Sequence, residues 1–248
     1  MKLIGKTALI TGGTTGIGLE TAKLFIKEGA SVIVTGVTDE RIAQAKDELG
    51  PDALVLKADV RTAADLDALF EAVQARFSTL DIVFANAGTG TVAPLDAITE
   101  EDIDRQFGIN FKGIFFTVQK AAPLMRAGGS IVLTTSFLNE VGVPGFSILS
   151  ASKAAVRSLV RSLGAELAPR GIRVNAVSPG PISTGFHGKL GLTQAQLNEA
   201  AASIEAQIPL ARFGEAAEVA KTVLFVASED ASFMTGSEIV VDGGLSQF

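Results

Sequence analysis

Short apolar runs rich in Val, Ile and Leu alternate along this chain with longer stretches whose apolar residues recur at helical spacing. The runs from Thr7 to Thr11, Ser31 to Thr35, Ala53 to Lys57, Ile82 to Ala85, Ser130 to Thr134, Arg173 to Val177 and Glu238 to Val241 show little polar alternation. That is the mark of strands covered on both faces. Between them, Leu66, Leu69, Phe70, Val73 and Phe77 fall at i, i+3, i+4, i+7 and i+11 and form one stripe along a helix. Thr99 followed by Glu100, Glu101 and Asp102 predicts a helix start, with a capping hydroxyl and acids at the positive end of the dipole, and a long helix reaching about Phe116. Alternating strands and helices imply an α/β fold: a doubly wound parallel sheet of about seven strands with helices on both faces. No repeat, low-complexity tract or linker interrupts residues 1–248, so a single domain is expected. The least regular stretch runs from Pro179 to about Ala206 and holds Gly180, Pro181, Gly185, Gly188 and Gly191. It predicts a loop and helix, about 180–206, over a site.

Composition narrows the function classes. Of 248 residues, 47% are hydrophobic and 19% charged, with a net charge of −6 and no basic block, so neither a nucleic-acid footprint nor a polybasic membrane anchor is present. No apolar run approaches the ~18 residues that span a bilayer. The absence of cysteine rules out disulfides and thiolate metal sites, and no metal site is expected. A strand-like run follows directly on Met1-Lys2, so no secretory leader is expected and the cytoplasm is the default location. Small molecules and further copies of the chain are the expected partners.

The first strand runs into Thr11-Gly12-Gly13-Thr14-Thr15-Gly16-Ile17-Gly18, which opens the first helix. Glycines let such a turn bend sharply, approach a pyrophosphate and pack the helix on the strand, while the helix N-terminus offers N–H groups to phosphates. A purely structural turn is the alternative, but this position in a βαβ chain favours a cofactor site, formed by Gly12, Thr14, Thr15, Gly16, Ile17 and Gly18. The spacing of Gly12, Gly16 and Gly18 resembles the fingerprint of short-chain dehydrogenases/reductases, and further matches run nearly end to end. The resemblance implies a Rossmann-type fold and an NAD(P)(H)-dependent oxidoreductase. It implies that Asp59 and Val60 border the adenine, that Asn86-Ala87-Gly88 ends the fourth strand beside the cofactor, and that Pro179, Gly180, Ile182 and Thr184 hold the nicotinamide amide. Val241-Asp242-Gly243-Gly244 is similar to a strand end that packs across a tetramer interface in the family, so a homotetramer is expected.

The choice of dinucleotide normally rests on a charge at the end of the second strand. Here Gly36 stands where NAD-preferring relatives carry an acid, Val37 where many NADP-preferring relatives carry arginine, and Thr15 at a second basic position. Thr38 suits either cofactor, and Arg41 reads as a solvated helix residue. The missing carboxylate leans the reading to NADP, with NAD open.

In the family, a serine polarises the substrate carbonyl, a tyrosine delivers the proton, a lysine four residues later tunes that tyrosine and holds the nicotinamide ribose, and an asparagine positions water. Ser136, Lys153 and Asn110 fall at the family's spacing. The tyrosine position is Leu149, 13 residues after Ser136 and four before Lys153, and the chain contains no tyrosine at all. Leu149 cannot donate a proton, and loss of a positioned general acid costs about 10²- to 10⁴-fold in rate. The leucine could be natural, a deliberate substitution, or offset by another donor; absence of Tyr, Trp and Cys beside 15 Phe argues against one isolated engineered change. His187 and Glu140 are the replacement candidates, each with a solvated side chain as the simpler reading. Ser147 and Ser150 point about 100° away on the helix. Phe137, Leu138, Val143, Pro144 and Phe146 predict an apolar pocket for a hydrophobic ketone or alcohol. Three readings remain: a weakly active ketone reductase/alcohol dehydrogenase with impaired or rerouted proton transfer, a silent dinucleotide-binding protein, and a non-redox reaction on the same scaffold.

Overall fold

A computed structural model describes residues 1–184 and 201–248. Its centre is a parallel sheet of seven strands: β1 (Thr7–Thr11), β2 (Ser31–Gly36), β3 (Leu54–Lys57), β4 (Leu80–Ala85), β5 (Met125–Thr134), β6 (Arg173–Pro179) and β9 (Glu238–Val241). The spatial order is β3-β2-β1-β4-β5-β6-β9, so the chain winds outward from β1, returns, and winds outward the other way from β4. A small second ladder pairs β7 (Ile182–Ser183) with β8 (Gly214–Glu215). The helices are α1 (Gly16–Lys27), α2 (Asp39–Leu49), α3 (Ala63–Phe77), α4 (Glu100–Phe107), α5 (Ile114–Ala121), α6 (Ser147–Leu167) and α7 (Ala216–Ala227).

The strands lack polar alternation because both faces are covered. On one face Leu9, Ile33, Val83, Leu133 and Val174 pack with Leu66, Leu69, Phe70 and Val73 of α3, Ile114 and Val118 of α5, and Val156 and Val160 of α6. On the other, Ile10, Val34, Phe84, Val132 and Val177 pack with Phe25 of α1, Ile42 of α2, and Val219 and Val223 of α7. Burial of each such side chain contributes about 1.5–3 kcal/mol, so neighbouring strand positions lock the sheet between two helical layers. Phe77, last in the predicted stripe, is only partly buried at the rim.

The sequence expectations need correction in two places. β5 begins at Met125, five residues before the expected Ser130, because a register shift between Leu80 and Ile82 of β4 accommodates a segment whose Gly128 and Gly129 read as a turn. The helix capped by Thr99 passes Phe116 and continues to Ala121, with a π-helical segment at Gly108–Gly113 separating α4 from α5. The predicted cap itself forms, as Asp102 N donates to Thr99 Oγ1 at 3.2 Å. Of the irregular stretch at about 180–206, Gly185, His187, Gly188 and Gly191 lie outside the described residues.

Candidate active site

All elements converge at the C-terminal ends of β1, β4, β5 and β6, where strand order reverses between β1 and β4. Open α/β sheets bind ligands at such a switch point. The glycine turn lies there. Gly12 and Gly16 hold φ of +62° and +55°, backbone open to glycine at little cost. An added Cβ on Gly12 would sit 2.9 Å from Ala87 Cα, and one on Gly18 would collide with the Gly12 carbonyl oxygen. Gly13 N donates to Thr35 O at 2.9 Å, which ties the turn to β2. Thr15 precedes α1 without a side-chain cap, so no side chain of its own occupies the helix N-terminus. Ile17 is partly buried against the α1 face of the core.

Asn86 closes the turn from β4. Its Nδ2 donates to Thr11 O at 3.2 Å and Gly12 O at 3.1 Å, while Thr11 Oγ1 accepts from the backbone amides of Asn86 and Ala87, both at 3.1 Å. Thr184 reaches the same cradle from the far side: a Cβ on Gly16 would meet Thr184 Cγ2 at 3.2 Å. Gly180 follows Pro179 and donates to Val241 O at 2.9 Å, with no room for a side chain against Asp242. Ile182 is buried beneath them. The residues named for the cofactor from the two ends of the chain therefore meet in space.

At the outer rim, Val37 and Thr38 are exposed, as is Arg41, which donates to Gln44 Oε1 at 3.1 Å. Gly36 lies against Thr14: an added Cβ would sit 2.5 Å from Thr14 Oγ1 and 2.6 Å from Thr14 Cγ2. The buried Thr14 thus fills the space an acid at position 36 would need. The Asp59 carboxylate is held by Arg61, whose Nε donates at 3.0 Å, and this pairing keeps its pKa below the ordinary carboxylate value. Val60 packs on the π-helical segment, where a Cβ on Gly113 would meet Val60 Cγ2 at 2.5 Å.

That wide turn sets Asn110. Fully buried, it accepts from Thr89 N at 2.9 Å, donates to Thr89 O at 2.9 Å and donates to Ser152 Oγ at 3.0 Å. Ser152 Oγ in turn donates to Leu149 O at 2.9 Å. Lys153 is 5% exposed, and its Nζ donates to Thr134 O at 2.7 Å. Burial pushes its ammonium down to about 8. A Cβ on Gly88 would lie 3.5 Å from both Asn110 Oδ1 and Lys153 Nζ, so the three residues adjoin. Ser136, two residues beyond Thr134, accepts from Leu138 N at 3.3 Å through its Oγ, which leaves the hydroxyl proton free to donate outward. Leu149 is half-buried, one helical turn before Lys153.

Of the replacement donors, Glu140 is exposed, Val143 and Pro144 of the expected apolar lining are exposed too, and His187 lies outside the described residues. Phe137 and Phe146 are partly buried and Leu138 is buried. Ser152 escaped the sequence reading, although its place beside Lys153 on a buried face was a usable signal. No cluster of His, Asp or Glu suited to a metal occurs among the described residues.

The sheet order, with the glycine turn at its switch point, defines a Rossmann-type α/β protein. Within that class the chain belongs to the short-chain dehydrogenase/reductase family and is an oxidoreductase of that family. A family model described as enoyl-(acyl carrier protein) reductase matches residues 12–246. The chain is 47% identical over 249 residues to oxidoreductase asL5 of Sarocladium schorii, covering 99% of this chain and 98% of that one. It is 39% identical to the 3-oxoacyl-[acyl-carrier-protein] reductase FabG of Thermotoga maritima, with 99% of each covered. Levodione reductase superposes with a TM-score of 0.93 at 33% identity over 98% of both chains.

Proposed function

We propose that this chain is an NAD(P)(H)-dependent reductase that interconverts a secondary alcohol and a ketone, with proton delivery impaired or rerouted at Leu149. The observation that carries this reading is the meeting of Asn110 and Lys153 beside Gly88, with Lys153 anchored on Thr134 O, two residues before Ser136, next to a glycine turn too tightly packed to admit a side chain at Gly12 or Gly18. That cradle fits a dinucleotide: Gly12, Thr14, Thr15, Gly16, Ile17 and Gly18 would take the phosphates, Asp59 and Val60 the adenine, and Asn86, Ala87 and Gly88 the central ribose region. Val37 and Thr38 would border the adenosine ribose, and Pro179, Gly180, Ile182 and Thr184 the amide end. When bound, the dinucleotide supplies or accepts the hydride. The crowding of Gly36 by Thr14 excludes a carboxylate there and supports the lean to NADP over NAD.

Ser136 donates its free hydroxyl proton to the substrate carbonyl oxygen and polarises it. Lys153 holds the ribose hydroxyls and brings positive charge to the forming alkoxide. Asn110 anchors the 88–91 loop and the N-terminal part of α6 at once. Position 149 contributes no proton, so water delivers it to the alkoxide and the rate falls. Residues 180–206 cover the substrate, the chain acts as one domain, and it assembles as a cytoplasmic homotetramer. Among the described residues no helix is long and apolar enough to cross a membrane.

Leu149 itself favours a second reading, a catalytically silent dinucleotide-binding protein. NAD(P)H oxidation over a panel of aromatic and aliphatic ketones separates the two. On the first reading the chain exceeds its Lys153→Ala variant, and Leu149→Tyr gains about 10²-fold or more. Rates equal to Lys153→Ala, no gain with Leu149→Tyr, and intact cofactor binding by calorimetry would establish the silent protein instead.

A further inference from the structure

Glu238 opens β9, the last strand of the sheet, far in sequence from every residue of the site. Its side chain is only 7% exposed. Oε1 accepts from Thr135 Oγ1 and, at 3.0 Å, from Asn139 Nδ2. Oε2 accepts from Asn139 Nδ2 at 3.3 Å and forms an ion pair with Arg157, whose Nε lies 3.2 Å away. Arg157 is itself 16% exposed and donates through Nη1 to Gly236 O at 3.0 Å.

These partners are not scattered. Thr135 immediately precedes Ser136, and Asn139 closes the short turn that Ser136 opens, its amide donating to Ser136 O at 3.0 Å. Arg157 lies one helical turn beyond Lys153 on α6, as Lys153 lies one turn beyond Leu149. A single carboxylate therefore holds the Ser136 turn at both ends by hydrogen bonds and faces α6 through its ion pair with Arg157. Charge-assisted bonds at such low exposure are short, directional and poorly replaced by water.

We propose that Glu238 is a positioning residue that fixes the Ser136 hydroxyl relative to Lys153, so that the edge strand β9 sets the geometry of the site without touching it. Thr135 is tied to Val177 O of β6, but Ser136 to Asn139 have no strand pairing among the described residues; the Glu238 carboxylate links that turn to β9 and, by its ion pair, to α6. A displacement of about 1 Å between paired groups costs about 10²-fold in rate, which sets the scale of the expected effect. The inference rests on the proposed reductase reading, in which Ser136 and Lys153 act on one carbonyl.

The test compares Glu238→Ala, Glu238→Gln and the double variant Thr135→Val/Asn139→Ala, all in the Leu149→Tyr background. Glu238→Ala is expected to lower kcat for ketone reduction by about 10- to 100-fold, with KM and the calorimetric NADPH Kd within about threefold of the parent. Glu238→Gln keeps an acceptor for Thr135 and Asn139 but loses the charge facing Arg157, so it should recover part of the loss and no more. The double variant leaves the Arg157 pair intact, so it should fold where Glu238→Ala fails to and still lose kcat. A kcat within about twofold of the parent overturns the proposal, as does a fall matched by equal loss of NADPH affinity, the signature of a bond that only holds the fold. If Leu149→Tyr shows no turnover, the reductase reading falls, and hydrogen exchange then decides the positioning role alone. Amides of Leu138, Asn139 and Glu140, which close the Ser136 turn, should exchange at least tenfold faster in Glu238→Ala while those of Val132 and Leu133 do not change. Unaltered exchange in the turn refutes it.

Discussion

Lys153 carries the clearest physical consequence of the site. Its ammonium sits at 5% exposure with one backbone acceptor, Thr134 O at 2.7 Å, and forms no ion pair within 4.0 Å with an acid of the described residues. Burial lowers it from 10.5 to about 8. The folded state therefore resists the charged form, and the penalty is fully present below pH 8, fades as pH rises from 8 to 10.5, and vanishes above. Its size well below pH 8 is about 3 kcal/mol, from about 1.4 kcal/mol for each tenfold change in proton affinity. Lys153→Met removes the charge at similar volume but leaves Thr134 O without its donor, a loss of about 1 kcal/mol. Without cofactor, the variant should be more stable than the parent by about 2 kcal/mol at pH 7, and nearly equal to it at pH 10, where only about 1 kcal/mol of penalty remains. Urea denaturation of both proteins at the two pH values, at one protein concentration, measures this. A methionine variant less stable at pH 7, or a difference that stays constant to pH 10, would refute a buried, unpaired ammonium.

Asn110→Ala strands Thr89 N and Thr89 O and removes the donor to Ser152 Oγ, three bonds its amide makes, and should destabilise the protein by about 2–4 kcal/mol in denaturant melts; a loss under about 1 kcal/mol would mean that water replaces the amide freely. Gly36→Asp, the change that should favour NAD by charge alone, pushes a Cβ to 2.5 Å from Thr14 Oγ1. It should cost about 1–3 kcal/mol and weaken both cofactors in calorimetry, whereas the pair Thr14→Gly/Gly36→Asp restores binding with NAD preferred. Tight NAD binding by the single variant would show that the turn yields easily.

Much of the fold was legible because buried parallel strands write themselves as local runs. Glu238 to Val241 and Thr7 to Thr11 were read to the residue, and Thr99 announced a capped helix start, which the structure completes as a capping box with Asp102. Met125 to Gly129 was missed, since a strand segment with two glycines and an exposed arginine carries no local hydrophobic signal. The π-helical segment around Asn110 was equally silent: its wide turn is set by contact with Val60 and by bonds to Thr89 and Ser152, none of them near in sequence. Ser136, Lys153 and Asn110 were recognisable from spacing. Glu238 and Arg157 were not, because what makes them matter is a bridge of 81 positions between strand and helix, although the fourfold spacing Leu149, Lys153, Arg157 was visible on one face of α6.

The bonds around position 149 limit what the leucine can have changed. Ser152 reaches the backbone oxygen of Leu149, never its side chain, and Asn110 reaches Ser152. Lys153 is anchored on Thr134 O, and the Ser136 turn on Leu138 N and Glu238. Each group of the site is thus held by partners that do not depend on which side chain occupies 149. On the proposed reductase reading, a leucine there withholds a proton and a hydroxyl without loosening these bonds, so introducing a tyrosine changes the chemistry and leaves them in place. That independence is what lets Leu149→Tyr measure the missing proton by itself, free of any rebuilding of the site.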